Sequence, residues 1–201
     1  ELELDKRKRL FIHTTVALAV AIDAKDHYTH GHTERVTALS LEIAKKLKQK
    51  NKVALNQKFF DDLHIAGLLH DIGKIGISES ILNKEGPLSL EEKKRMQEHP
   101  VVGVTILAPI KELENSSLGV KYHHEKYDGS GYPDKLKGDQ IPLIATIISV
   151  ADTFGAMTTD RPYRKGLSKK EAVEEIERES GKQFHPQIAN ALVEIYRENK
   201  I

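Results

Sequence analysis

The sequence predicts an all-α domain of seven to nine helices. Three observations carry that reading. Apolar residues recur at helical spacing through most of the chain. Strand-type alternation of apolar and polar residues is nearly absent. Two Ser-x-x-Glu capping boxes, Ser89–Glu92 and Ser168–Glu171, each open a charged segment in the way helices begin.

The chain opens with the charged run Glu1-Leu-Glu-Leu-Asp-Lys-Arg-Lys-Arg9 and no Met. Residues 1–15 read as a linker or signalling helix entering from a longer regulator, and equally as a trimmed end. Residues 16–201 form the domain. Val16, Val20 and Ala24 follow i, i+4, i+8. Leu39, Ile43 and Leu47, with Val36 beside them, mark a helix over Thr33–Lys48 that His32 opens. Leu63, Ala66, Gly67 and His70 share one face of the next helix. The helix begun at Ser89 is expected to end at His99-Pro100. Ile144–Val150 is β-branched and short enough for a buried strand, but it runs on to Asp152 and Met157 without turn residues, so it reads as a buried helix. Pro142 and Pro186 suit first helical turns, where a missing N–H costs nothing. Lys126–Gln140 holds Gly129, Gly131, Pro133 and Gly138 and reads as a loop. No repeat or internal linker divides the chain.

Composition bounds the function. Of 201 residues 39% are hydrophobic and 30% charged, the balance of a soluble globular domain with a sizeable core. A net charge of +1 argues against nucleic acid polymers and anionic membranes as partners. Without cysteine there is neither a disulfide framework nor a thiolate metal site, which suits a reducing cytoplasm. No apolar run approaches the roughly 20 residues of a membrane span, and no signal peptide is present.

The chemistry lies in the histidines. There are ten. Five of them fall, with two aspartates, in the ordered pieces His32, His70-Asp71, His99, His123-His124 and Asp152. Seven such ligands exceed what one tetrahedral zinc uses, so they point to two or more metals acting on water and a phosphate. Each piece has a plainer alternative. Taken alone, His70-Asp71 reads more readily as a C-capping histidine beside a solvated aspartate. His123-His124 fits a helix end favoured by the dipole. His32 and His99 fit ordinary capping positions. Asp152, in an apolar stretch, must be a ligand or a buried ion-pair partner. Neighbouring side chains on a helix diverge by about 100°, so the His70-Asp71 doublet suits a metal pair with the carboxylate bridging.

Taken together, these blocks resemble a known family. His70-Asp-Ile-Gly-Lys74, His123-His-Glu-Lys-Tyr-Asp-Gly-Ser-Gly-Tyr-Pro133 and Asp160-Arg-Pro-Tyr-Arg164 are similar to the HD-GYP domain, a subgroup of HD-domain phosphohydrolases. The resemblance runs from about Val16 to Ile195. It implies an all-α fold, a centre of two or three metal ions, and hydrolysis of cyclic di-GMP to pGpG, GMP or both. By the same resemblance His32, His70, Asp71, His99, His123, His124 and Asp152 are the ligands, with Asp71 bridging. Lys74 is the general acid or phosphate-contacting lysine. Gly131 and Tyr132 contact the nucleotide, Arg161 and Arg164 hold phosphate or guanine, and Asp26 matches an acidic position near the pocket.

Several positions depart from the family pattern. Three-metal members carry Glu four residues before the first ligand histidine, and Tyr28 stands there, so two ions are expected. These would be iron or manganese, with zinc, cobalt or nickel tolerated. Gly155 replaces an Asp the family favours, and His185 replaces another. Other expected readings are a different cyclic dinucleotide such as cyclic GMP-AMP, or a non-catalytic sensor. The expected partners are an upstream regulatory domain and a second copy joined through the first helix.

Overall fold

The computed structural model describes residues 2–26, 31–50, 54–160 and 165–201. Tyr28, Arg161 and Arg164 lie outside the described residues.

Helices account for nearly all the regular structure. In chain order they are α1 Leu2–Lys25, α2 His32–Gln49, α3 Gln57–Leu69, α4 Glu79–Leu82, α5 Leu90–Met96, α6 His99–Leu107, α7 Glu114–Tyr122, α8 Leu143–Thr158, α9 Lys169–Arg178 and α10 Pro186–Arg197. α4 is a single turn, so the nine longer helices among the described residues meet the expected all-α count. Short 3₁₀ turns lie at Ile72–Gly76, Lys111–Leu113 and Gly138–Gln140. No β-strand is formed among the described residues beyond one isolated bridge, Ser180 to Phe184.

Local chemistry sets the boundaries. Ser89 Oγ accepts from Glu92 N at 3.2 Å while Glu92 Oε2 accepts from Ser89 N at 2.7 Å, closing the first capping box. Ser168 and Glu171 close the second in the same way, at 3.2 and 2.8 Å. Pro186 occupies the first turn of α10, but Pro142 takes the N-cap of α8, one position earlier than expected. His185 caps α10, its Nδ1 accepting from Gln187 N at 3.2 Å.

Two expectations need correction. The helix begun at Ser89 stops at Met96, and His99-Pro100 starts α6 instead of ending α5. Proline cannot sit in a helix interior but fits a first turn, so Pro100 marks a beginning. On α1 the buried stripe is Thr15, Ala19, Ile22 and Asp26, while Val20 is 53% exposed. Val20, about 100° around the helix from Ala19, faces out.

Two apolar clusters support the fold. The larger joins α2, α3, α8, α9 and α10 through residues such as Ile43, Leu63, Ile147, Ile176 and Leu192, all fully buried. α8 is buried continuously from Ile144 to Ala151, which is why it lacks an amphipathic period. The smaller joins Ala19 and Ile22 of α1 to Leu68, Leu69, Ile72, Leu107 and Val120. No helix among the described residues is long and apolar enough to cross a membrane. α1 runs unbroken past residue 15.

Candidate metal centre

Helix ends supply most of the site. His32 is the first residue of α2 and His99 the first of α6. His70 and His123 are the C-caps of α3 and α7, with Asp71 and His124 directly after them. Asp152 comes from within α8.

Three rings are fixed in one way. Nδ1–H of His70 donates to the Gly67 carbonyl at 2.7 Å, that of His99 to Met96 at 2.7 Å, and that of His123 to Val120 at 2.8 Å. Each acceptor lies three residues back, among the carbonyls a helix leaves unpaired at its end. The donation fixes the tautomer and turns a bare Nε2 lone pair toward the cluster.

Asp71 stands between two groups of histidines. Its Oδ1 lies 3.3 Å from His99 Nε2 and 4.0 Å from His123 Nε2. Its Oδ2 lies 3.4 Å from His70 Nε2. His124 completes the first group and His32 the second. Asp152 Oδ1 is 2.9 Å from His32 Nε2 and 4.0 Å from His70 Nε2. All seven expected ligands therefore converge.

At Asp71, Asp152, His123 and His124 the protonation states suit cations. Burial is the largest influence on Asp71 and pushes its carboxyl up, but Lys74, His70 and His99 outweigh it and hold the group well below the usual range. Burial likewise pushes Asp152 up, and the His32 hydrogen bond and the His70 charge bring it well down. Burial, then repulsion from neighbouring imidazoles, holds His123 well below its ordinary value. Burial and the charge of His99 push His124 down to about 4. Neutral imidazole and ionised carboxylate are the metal-binding forms.

The geometry also calls for a cation. His70 Nε2 is buried with no hydrogen-bond partner. Nε2 of His99 and Nε2 of His123 face each other at 3.4 Å, two lone pairs that repel unless a cation is shared between them. A donor set of imidazole and carboxylate fits divalent transition metals.

Lys74 stands beside the cluster. Its Nζ is 2.8 Å from Asp71 Oδ2 and donates to Asp26 Oδ2 at 2.9 Å. Burial pushes its pKa down most strongly, but Asp71 and Asp26 outweigh that and raise it, so the ammonium stays charged. Tyr132 stacks on His124 with ring centroids 4.9 Å apart. Burial foremost, and then Asp71 and Asp152, raises its phenol, which stays protonated.

A cavity of about 700 Å³ opens over these groups. Asp26, Lys74, Tyr132 and five of the candidate ligands, His32, Asp71, His99, His124 and Asp152, line it together with apolar Ile81, Leu82, Pro87, Leu88 and Met96. Gly131 is buried behind Tyr132 and off the cavity wall. A Cβ there would lie 2.3 Å from Lys126 N, so the loop closes this tightly only with glycine. Gly155 packs against His32, with a Cβ position 3.4 Å from its Nδ1.

Two residues escaped the sequence reading. Glu125 is buried directly after the paired histidines, and its Oε1 accepts from Asp134 N at 2.7 Å, holding the Gly-Tyr-Pro loop. A carboxylate adjoining His124 was the available signal. Lys25 reaches the turn that carries Lys74, and no local pattern announces a contact across so many residues.

The family model described as HD domain matches residues 17–188. A cyclic di-GMP phosphodiesterase of Thermotoga maritima is 40% identical over 178 residues, covering 87% of this chain and 46% of that protein. A 3'3'-cGAMP-specific phosphodiesterase of Vibrio cholerae is 39% identical over 151 residues, covering 75% of this chain and 32% of that protein. A solved cyclic GMP-AMP specific phosphodiesterase of V. cholerae shares the fold, with a TM-score of 0.70 at 21% identity over 93% of this chain and 49% of that one. The chain belongs to the HD-domain family, in its HD-GYP subgroup. It spans less than half the length of these relatives. Family membership and the donor set together make the centre a divalent-metal site.

Proposed function

We propose that this domain is a metal-dependent phosphodiesterase that hydrolyses cyclic di-GMP to pGpG, GMP or both. The observation that carries the reading is Asp71, one carboxylate whose two oxygens face two separate groups of histidines. The named activity of the T. maritima relative supports the substrate.

Two ions, iron or manganese, would be held by His32, His70 and Asp152 on one side and His99, His123 and His124 on the other, with Asp71 shared. Bound there, divalent ions supply Lewis acidity and a water acidic enough to ionise near neutral pH. Lys74 keeps a full positive charge at the rim of the cluster. It neutralises charge growing on the phosphoryl oxygens, and either it or a water protonates the leaving 3′ oxygen. Asp26 holds that ammonium in place. Tyr132, protonated and stacked on His124, presents a hydrogen-bond donor and a ring face to the nucleotide, and Gly131 lets its loop close. Arg161 and Arg164 pair with phosphate or guanine through their planar forks.

Residues 1–15 are proposed as the linker and 16–201 as the domain, supported by a family match that starts at residue 17. An upstream regulatory domain is supported by the greater length of the relatives. A second copy docked through α1 is supported by its exposed Leu10 and Leu18. The cysteine-free composition supports a cytoplasmic setting.

The test is to purify the domain anaerobically, count its metals, and incubate it with cyclic di-GMP with and without manganese or ferrous iron. Metal-dependent pGpG or GMP is expected. Tight binding without turnover under every metal would make it a sensor, and about three ions per chain would overturn the two-ion reading. Cyclic GMP-AMP is the second reading, favoured by the 39% identical V. cholerae relative, and a competition assay between the two dinucleotides decides.

A further inference from the structure

Lys25, the last residue of α1, ties that helix to the turn that carries Lys74. Its ammonium donates to three backbone carbonyls, those of Lys74 at 3.3 Å, Ile75 at 2.8 Å and Ile77 at 2.7 Å. These carbonyls lie at and just beyond the end of the Ile72–Gly76 turn, where a cation is favoured. The tie is returned by Asn83, whose Nδ2 donates to the Lys25 carbonyl at 3.0 Å. The next residue, Asp26, accepts from Lys74 Nζ at 2.9 Å. One end of α1 therefore holds both the backbone and the side chain of Lys74. Among the described residues, α1 joins the smaller core cluster through buried Ala19 and Ile22, with Phe11 and Val16 packed partly buried against it.

We infer that Lys25 is a positioning residue: by gripping the carbonyls of residues 74, 75 and 77 it sets where the Lys74 ammonium stands relative to Asp71. The orientation of α1 then governs the reacting geometry, and a force applied along that helix reaches the site through Lys25. This rests on the role of Lys74 proposed above. The plainer alternative is a capping lysine that only adds stability, and the two differ in what they do to turnover.

The experiment compares Lys25→Met, which keeps the linear chain and removes all three bonds, with Lys25→Arg and wild type, all as the full 201-residue chain. With cyclic di-GMP, Lys25→Met is expected to lower kcat by about ten- to a hundred-fold, the size of a small misplacement at a reacting centre. KM and metal content should stay near wild type, and Lys25→Arg should recover much of the loss. A second readout needs no turnover: the side-chain ammonium resonance of Lys74 in ¹⁵N NMR, assigned by its loss in Lys74→Met. Read in the zinc-loaded protein, where no paramagnetic ion broadens it, the resonance should be sharp in wild type and exchange-broadened in Lys25→Met. Unchanged kcat with an unchanged resonance overturns the inference. So does a kcat that falls only as far as the folded fraction falls. Should Lys25→Met not fold, Lys25→Gln, which keeps two N–H donors on a shorter, uncharged side chain, reads the same quantities in smaller measure. If wild type does not turn over cyclic di-GMP, the proposed activity fails, and the resonance alone decides the positioning.

Discussion

Gly73 is the position where a single methyl group should do most damage to the centre. It lies between Asp71 and Lys74, where the turn crosses α6. A Cβ built there would stand 1.8 Å from the His99 carbonyl oxygen and 2.6 Å from Gly103 N. Non-bonded heavy atoms rest about 3.5 Å apart, so the turn and α6 must separate by more than about 1 Å. Those two elements carry Asp71 and His99, now 3.3 Å from each other. Overpacking of this kind costs about 1–3 kcal/mol, and each kcal/mol lowers Tm by about 2–4 °C in a chain of this size. Activity should suffer more than stability, because a displacement of about 1 Å costs about a hundred-fold in rate. Gly73→Ala is therefore expected to fold, to melt several degrees lower, and to lose metal and at least about a hundred-fold in turnover. Elemental analysis of the purified protein, a thermal melt and a cyclic di-GMP assay read all three. Gly76→Ala is the graded control, since its nearest neighbour is a Val102 methyl at 3.0 Å, a side chain free to move. A Gly73→Ala protein with full metal and wild-type turnover would refute the argument that this crossing holds the centre together.

Three further outcomes follow from named contacts. Asp71→Ala removes the carboxylate shared by both histidine groups; metal should fall to a trace while the far-ultraviolet helical signal persists, and retention at full stoichiometry would exclude bridging. Gly155→Asp sets a carboxylate beside His32 Nδ1, 3.4 Å from the Cβ position, and should improve retention against a chelator about ten-fold; poorer retention would mean that α8 and His32 pass too closely for it. Leu192→Ala, fully buried in the larger cluster, should cost about 2–5 kcal/mol by denaturant unfolding and leave metal stoichiometry unchanged; a cost below about 1 kcal/mol would show that the cavity collapses.

The sequence discloses local facts well and distant ones poorly. Ile144–Val150 reads as helix because no turn residue interrupts it before Asp152, and the structure agrees. The capping boxes fix the starts of α5 and α9 for the same local reason. Pro100 misleads, because proline near a boundary does not say which side of it the helix lies on. The candidate ligands are legible as residue types in order, since histidine and carboxylate carry their chemistry with them. The division of Asp71 between two groups, and the grip of Lys25 on residues 74, 75 and 77, depend on chain crossings that no local pattern encodes.

The hydrogen bonds from His70, His99 and His123 to carbonyls three residues earlier bear on how such a chain can change length. Each ring and its acceptor travel together as one short unit at a helix boundary. Adding or deleting one residue inside that unit would swing the ring through about 100° and discard it. Residues added farther away, in the stretches that join one unit to the next, leave every unit intact. Insertions and deletions between Leu82 and Leu90, the stretch that joins the first unit to the second, are therefore ones the histidine cluster itself tolerates, and its identity resides in helix boundaries more than in the distances along the chain that separate them.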